Sequence, residues 1–337
     1  MQAKIMKRCR VNLLHLVAYT FMVFAELFCS CQGNSVTYYD GFQHEFVLKA
    51  DSVSTQKVID NVYLELVDGK MVVSSFKTDT LMHFYKIPGL KYEFSSGVKG
   101  HSFNELESFP SFAHSMSDEL YVRGYTINTL RKFKICEDKL IDKGIYKLSA
   151  INTPNDMYVF HDSLLYYNDM VDMGVKSYNM KTEKDDKQWM LSSFYGNVTN
   201  KDILTGILCS NDSLSLYAMQ YKHEFVVLKT SDLSHLKTIS WPYDNQDKLI
   251  GDKTATPKLY YTYAISTKHN FFLLCRNAVP HEKNARFSIE VYDNNLVPVC
   301  RYILNRKIYN FVVDEKNGYI YGFGINEDCI NRFKLKK

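Results

Sequence analysis

The sequence predicts an all-β fold: a six-bladed β-propeller with about four strands per blade, its ring closed by an N-terminal strand. Three observations carry this. The 337 residues include 25 Tyr and 21 Phe, and flat rings suit the pleated, half-buried surface of a sheet. Short runs of Val, Leu, Tyr and Phe are bounded by turn-forming pairs such as Asp68-Gly69 and Pro88-Gly89, the pattern of strands joined by tight turns. The unit returns about every 50 residues, a period that propellers have and sandwiches lack. A sandwich or barrel of short strands is the alternative fold.

The first unit sets the pattern. Asp68-Gly69 precedes Met71-Val72-Val73, then come Leu81 to Tyr85 and, after the Pro88-Gly89 turn, Leu90 to Phe94. Corresponding turns fall at Ser117-Asp118, Asn155-Asp156, Asn211-Asp212, His269-Asn270 and Asn317-Gly318. Each is followed by a run such as Leu120-Tyr121-Val122 or Phe271-Phe272-Leu273-Leu274. A further strand precedes each turn: Val62 to Leu66, Phe109 to Ala113, Ile145 to Ile151, Ile203 to Cys209, Leu259 to Ile265 and Tyr309 to Val313. Alternation in Leu130 to Ile135 and Phe287 to Tyr292 means one wet face and one buried face. The third and fifth units read as carrying insertions. The sixth ends at Lys337 one strand short, and Gln43 to Lys49, which resembles Lys222 to Lys229, is expected to pair onto it and cover an open edge.

With 46% hydrophobic residues, 7 Pro and no Gly/Ser-rich tract, residues 42–337 read as one domain rather than two joined by a linker. The formal charge of +4 misleads, because residues 1–30 carry +3 of it. The near-neutral remainder gives no electrostatic case for nucleic acid.

Residues 1–30 read as a signal peptide. Lys4, Lys7, Arg8 and Arg10 form a basic start, Val11 to Phe28 is mostly apolar, and small residues follow. Asn12, His15 and Glu26 interrupt the run, which argues against a retained membrane span. Leu27-Phe28-Cys29-Ser30-Cys31 resembles a bacterial lipobox, with Cys31 the lipidated residue and Cys29 the alternative. Residues 31–41 would then be a tether, and acyl chains would hold the protein on the membrane.

A lipobox followed by six blades resembles the TolB-like six-bladed propeller lipoproteins of Bacteroidetes, over residues 31–337. The loop Gly97-Val98-Lys99-Gly100-His101-Ser102-Phe103-Asn104-Glu105 is similar to a glycine-rich loop of that family, though a Gly-Pro pair is missing before the Glu. The resemblance implies an outer-membrane lipoprotein, periplasmic or surface-facing, with a non-catalytic binding or protein-interaction role. Gly97, Gly100, His101 and Glu105 are its candidate binding residues. Envelope proteins, peptides or glycans are the candidate partners, besides the membrane itself.

No catalytic residue or metal ligand is assigned, and no cofactor is expected. The chain lacks a GxSxG elbow, a Walker loop, HExxH and CxxC. Gly97 to Gly100 precedes a strand, so it lacks the helix N-terminus of a phosphate loop. Cys136, Cys209, Cys275, Cys300 and Cys329 are odd in number and lie mostly in apolar strands, where Cys acts as a small hydrophobe. The competing function is a calcium-dependent, lactonase- or esterase-like hydrolase, which needs oxygen ligands from several blades on the axis. Glu65 and Asp314 are among the few acids near it, and Asp169 with Asp172 forms an acidic loop whose spacing matches no calcium loop.

Overall fold

The computed structural model describes residues 35–336 apart from 56–62, 76–77, 126–127, 150, 152–153, 196–203, 247–255, 281 and 325–328. The signal peptide and Cys31 lie outside the described residues.

The fold is all-β and propeller-like. Three short strands come first: β1 (Val36–Tyr38), β2 (Glu45–Leu48) and β3 (Ala50–Ser54). Antiparallel meanders follow. One runs β4 (Leu64–Val67), β5 (Lys70–Ser74), β6 (Thr80–Lys86), β7 (Lys91–Val98). Next come β8 (Ser111–Ser115), β9 (Glu119–Arg123), β10 (Thr129–Cys136), β11 (Lys139–Lys147), then β12 (Pro154–Phe160), β13 (Leu164–Asp169), β14 (Gly174–Asn179), β15 (Lys184–Met190). These two meanders share one sheet because β8 and β12 pair in parallel. The next two are β16 (Gly206–Ser210), β17 (Leu214–Met219), β18 (Glu224–Lys229), β19 (His235–Ser240) and β20 (Leu259–Ser266), β21 (Asn270–Ala278), β22 (Phe287–Asp293), β23 (Pro298–Leu304). The chain finishes with β24 (Asn310–Asp314), β25 (Tyr319–Phe323) and β26 (Cys329–Lys334). Among the described residues the α-helix, α1 (Leu191–Tyr195), is short, and no helix is long and apolar enough to cross a membrane.

The first strand of each meander lies beside the first strand of the next, and β24 lies beside β4. Side chains on alternate sides of each sheet pack against the neighbouring sheet. Phe84 stacks on Phe94 at 4.2 Å within one sheet, while Phe225, Tyr261 and Tyr292 interlock between two others. Gly206 lets β16 approach Tyr217, since a Cβ there would stand 2.3 Å from the ring. Tyr217 in turn donates its hydroxyl to the Leu204 carbonyl at 2.9 Å.

Two expectations about strand placement need correction. Gln43 to Lys49 does not complete the last sheet: β2 adds in parallel to β23, one sheet earlier. It is β3 that pairs antiparallel with β26, Ser54 opposite Cys329 and Asp51 opposite Arg332. β1 likewise adds to β19, so residues 36–54 cross the outer edges of three successive sheets. The resemblance to Lys222 to Lys229 misled because that segment holds an interior strand, whereas β2 is an edge strand buried only at Leu48. In the third unit, Pro154–Phe160 is the first strand, not the second, and the turn after it is His161-Asp162. The supposed insertion there is strand β13, and Ile145 belongs to the outer strand β11.

Candidate functional site

Every first strand ends at one place. A cavity of about 760 Å³ is lined by Glu65 of β4, His114 of β8, Tyr158 of β12, Ser210 of β16, Ser266 of β20 and Asp314 of β24. That volume lies in the range of small-molecule sites. The hairpin turns around Asp68, Asp118, Lys268 and Lys316, with Lys86 at the end of β6, form its mixed-charge rim.

Its polar interior centres on His114. Nδ1 stands 2.5 Å from Glu65 Oε2, and Glu65 Oε1 accepts the Leu66 N–H at 3.1 Å. Burial alone would lower the imidazole pKa, but the Glu65 and Asp156 carboxylates outweigh it and raise it, favouring the protonated ring. Nε2 has no hydrogen-bond partner among the described residues. Asp156 is pushed up to about 6 by burial, against the Leu208 N–H at 3.1 Å and the Asn168 amide at 3.4 Å. The Tyr158 ring lies 5.1 Å from the imidazole. Its buried hydroxyl has no partner among the described residues, and burial keeps it a neutral phenol. An ion pair, a phenol and apolar walls can orient a polar small molecule.

Asp314 is already occupied: its carboxylate accepts the Asn317 N–H at 3.1 Å and the Asn317 amide at 2.7 Å, closing the β24–β25 turn. Between Asp169 and Asp172 sits the Lys176 ammonium, at 2.7 and 2.6 Å, which fills the place a calcium ion would take.

The four candidate binding residues cluster in one connection and do not line the cavity. Gly97 holds φ +80° where a Cβ would meet Leu106 at 2.6 Å. The Gly100 N–H donates to the Leu106 carbonyl at 3.1 Å. Glu105 turns back to accept the Ser102 N–H at 3.0 Å, and that bond leads in holding its carboxyl below the usual range. His101 is exposed. Arg131 clamps the loop through the Phe103 carbonyl at 2.8 Å. The glycines therefore have local steric reasons to be there.

A second constellation escaped the sequence reading. Glu290 on β22 is fully buried and accepts four bonds: His223 Nε2 at 3.0 Å, Arg301 Nη2 at 3.0 Å, Tyr261 hydroxyl at 2.8 Å and Tyr292 hydroxyl at 2.9 Å. Burial alone would raise its pKa, but His223, Arg301 and Tyr261 hold it at about 2. Arg301 also pairs with Glu45 of β2 at 2.9 Å and stacks over Phe42 at 4.5 Å, so the N-terminal segment is keyed to this network. Cys275 Sγ lies 3.9 Å from His223 Nε2. Among the described residues no two cysteines form a disulfide. His223, Cys275, Glu290 and Arg301 lie on separate strands or turns, with no motif spacing to reveal them.

No family model and no curated protein matches this chain. Among solved structures, it is similar to the "Putative exported protein" of Bacteroides fragilis, with TM-score 0.55 at 12% identity over 90% of this chain and 99% of that one. Chaetomium thermophilum Raptor matches with TM-score 0.47 at 8% identity, over 86% of this chain and 29% of its own. Myxococcus xanthus glutaminyl cyclase matches with TM-score 0.38 at 7% identity, over 86% and 98%. The likeness to the first is one of fold.

Proposed function

We propose that this chain is a cell-envelope binding protein: a six-bladed propeller over residues 42–337, tethered by residues 31–41 to a lipid on Cys31 after loss of residues 1–30. The single observation that carries the binding reading is the cavity lined by the first strand of every meander. The cyclic neighbourhood of those strands, β24 beside β4 included, supports a closed ring, and β3 on β26 supplies its last strand. The exposed 97–105 loop, carrying His101 and Glu105, is a second contact surface. The basic start, apolar run and lipobox-like junction support the membrane address.

A calcium-dependent hydrolase is the second reading, favoured by Glu65 and Asp314 both reaching the cavity. It ranks lower because Glu65 is paired with His114 and Asp314 with Asn317, leaving few free oxygens for an ion. Titration calorimetry of the full chain with short peptides and oligosaccharides tests the binding reading. Saturable binding that weakens tenfold or so in Glu65→Gln, about 1.4 kcal/mol, supports it. Calcium-dependent turnover of lactones or esters would overturn it.

A further inference from the structure

We propose that His223, Cys275 and Glu290 form a buried site for one divalent ion of the zinc class. The three side chains come from the start of β18, from β21 and from β22. Their ligand atoms lie within 4.8 Å of one another, with His223 Nε2 3.0 Å from Glu290 Oε1 and 3.9 Å from Cys275 Sγ. Ligand atoms around a tetrahedral zinc ion stand roughly 3.3–3.6 Å apart, given Zn–N near 2.0 Å and Zn–S near 2.3 Å. Closing onto an ion therefore needs the Cys275 side chain to swing in by roughly an ångström at most, from a widest separation within 4.8 Å.

Hydrogen bonding alone explains Glu290, with its four donors, but not the thiol. Cys275 sits in the apolar core, yet its Sγ is turned to the imidazole nitrogen that already faces the carboxylate. Thiolate, imidazole and a single carboxylate oxygen suit zinc and exclude calcium or magnesium, which take oxygen ligands. The outer shell is in place as well. Tyr261 and Tyr292 hold the second carboxylate oxygen at 2.8 and 2.9 Å, the kind of support that orients a metal-bound carboxylate. Charge also balances. On binding, the Cys275 thiol releases its proton to solvent and neutral His223 carries its ring proton on Nδ1, freeing Nε2 for the ion; the thiolate, Glu290 and Glu45 then stand against Arg301 and the ion, three charges of each sign. Three protein ligands leave a fourth position for a water.

The test is cobalt(II) titration of the purified, chelator-treated full chain, followed by zinc competition and metal analysis. One equivalent of cobalt giving a near-ultraviolet thiolate-to-metal band, displaced by zinc, is expected. The band is lost in Cys275→Ser and kept in Cys209→Ser, a buried thiol outside the cluster. Should Cys275→Ser fail to fold, the wild type still decides: zinc, and not magnesium, is expected to raise its melting temperature. A folded wild type that binds neither ion, or a band that survives Cys275→Ser, overturns the proposal.

Discussion

Replacing Glu290 by Gln removes a carboxylate that is wholly buried and accepts four bonds. The ordinary value of 4.5 falls to about 2 in the fold. Each unit is worth about 1.4 kcal/mol, so the ionised form is favoured by roughly 3 kcal/mol. Because the folded value is depressed, that stability is present above pH 4.5 and drains away as pH falls towards 2. The amide keeps shape and volume but leaves the Arg301 guanidinium half-buried beside a neutral group. Loss of one partner of a buried pair costs about 3–5 kcal/mol. Urea unfolding at pH 7 should therefore show a loss of about 3 kcal/mol, or roughly 5–10 °C in melting temperature for a domain this large. Repeated from pH 7 to pH 2, the variant should lose less stability than the wild type. A variant as stable as the wild type at pH 7, or with an unchanged acid slope, would refute the assignment of Glu290 as the ionised centre.

Glu65→Gln should lower the His114 pKa, read from imidazole proton shifts, since Glu65 is the leading influence opposing burial there; an unmoved titration would contradict the ion pair. The stability that pair gives is present at low pH and lost as pH rises through the raised His114 value. Gly206→Ala places a Cβ 2.3 Å from the Tyr217 ring and 2.8 Å from the Ala218 carbonyl, and should cost about 1–3 kcal/mol in thermal unfolding. Ser54→Cys should form a disulfide with the native Cys329 opposite it on β26, detected as an intramolecular cross-link by mass spectrometry of peptides, whereas Glu45→Cys should not. Cys31→Ser should abolish incorporation of radiolabelled fatty acid in cells making the protein; undiminished labelling would move the anchor elsewhere.

Much of the fold was legible because strand and turn signals are local. Asp68-Gly69 and Asn317-Gly318 do close hairpins, with Asp68, Gly69 and Gly318 at positive φ. The runs Met71 to Val73, Leu214 to Tyr217 and Phe271 to Leu274 are the buried second strands they suggested. Legibility failed where a strand is polar or at an edge. β3, Ala50–Ser54, has no buried residue and offered no apolar run, so the more hydrophobic β2 took its role in the reading. In the third unit, Asn155-Asp156 imitates a turn, but Asp156 at φ 44° marks an irregularity inside β12. The candidate site was legible only in fragments. Glu65 and Asp314 could be placed near the axis, yet the groups that engage them, His114 and Asn317, follow from register and turn geometry. The Glu290 network depends on contacts between segments as distant as Glu45 and Arg301, which no local pattern records.

The central claim is a ring of six blades around a binding cavity, and the most direct measurement is an experimental structure of the full chain soaked with calcium. The account predicts β3 hydrogen-bonded to β26, the six first strands encircling the cavity, and Glu65 on His114 with no ion between them. A different number of meanders around the axis, or calcium held by oxygens from several strands, would contradict it.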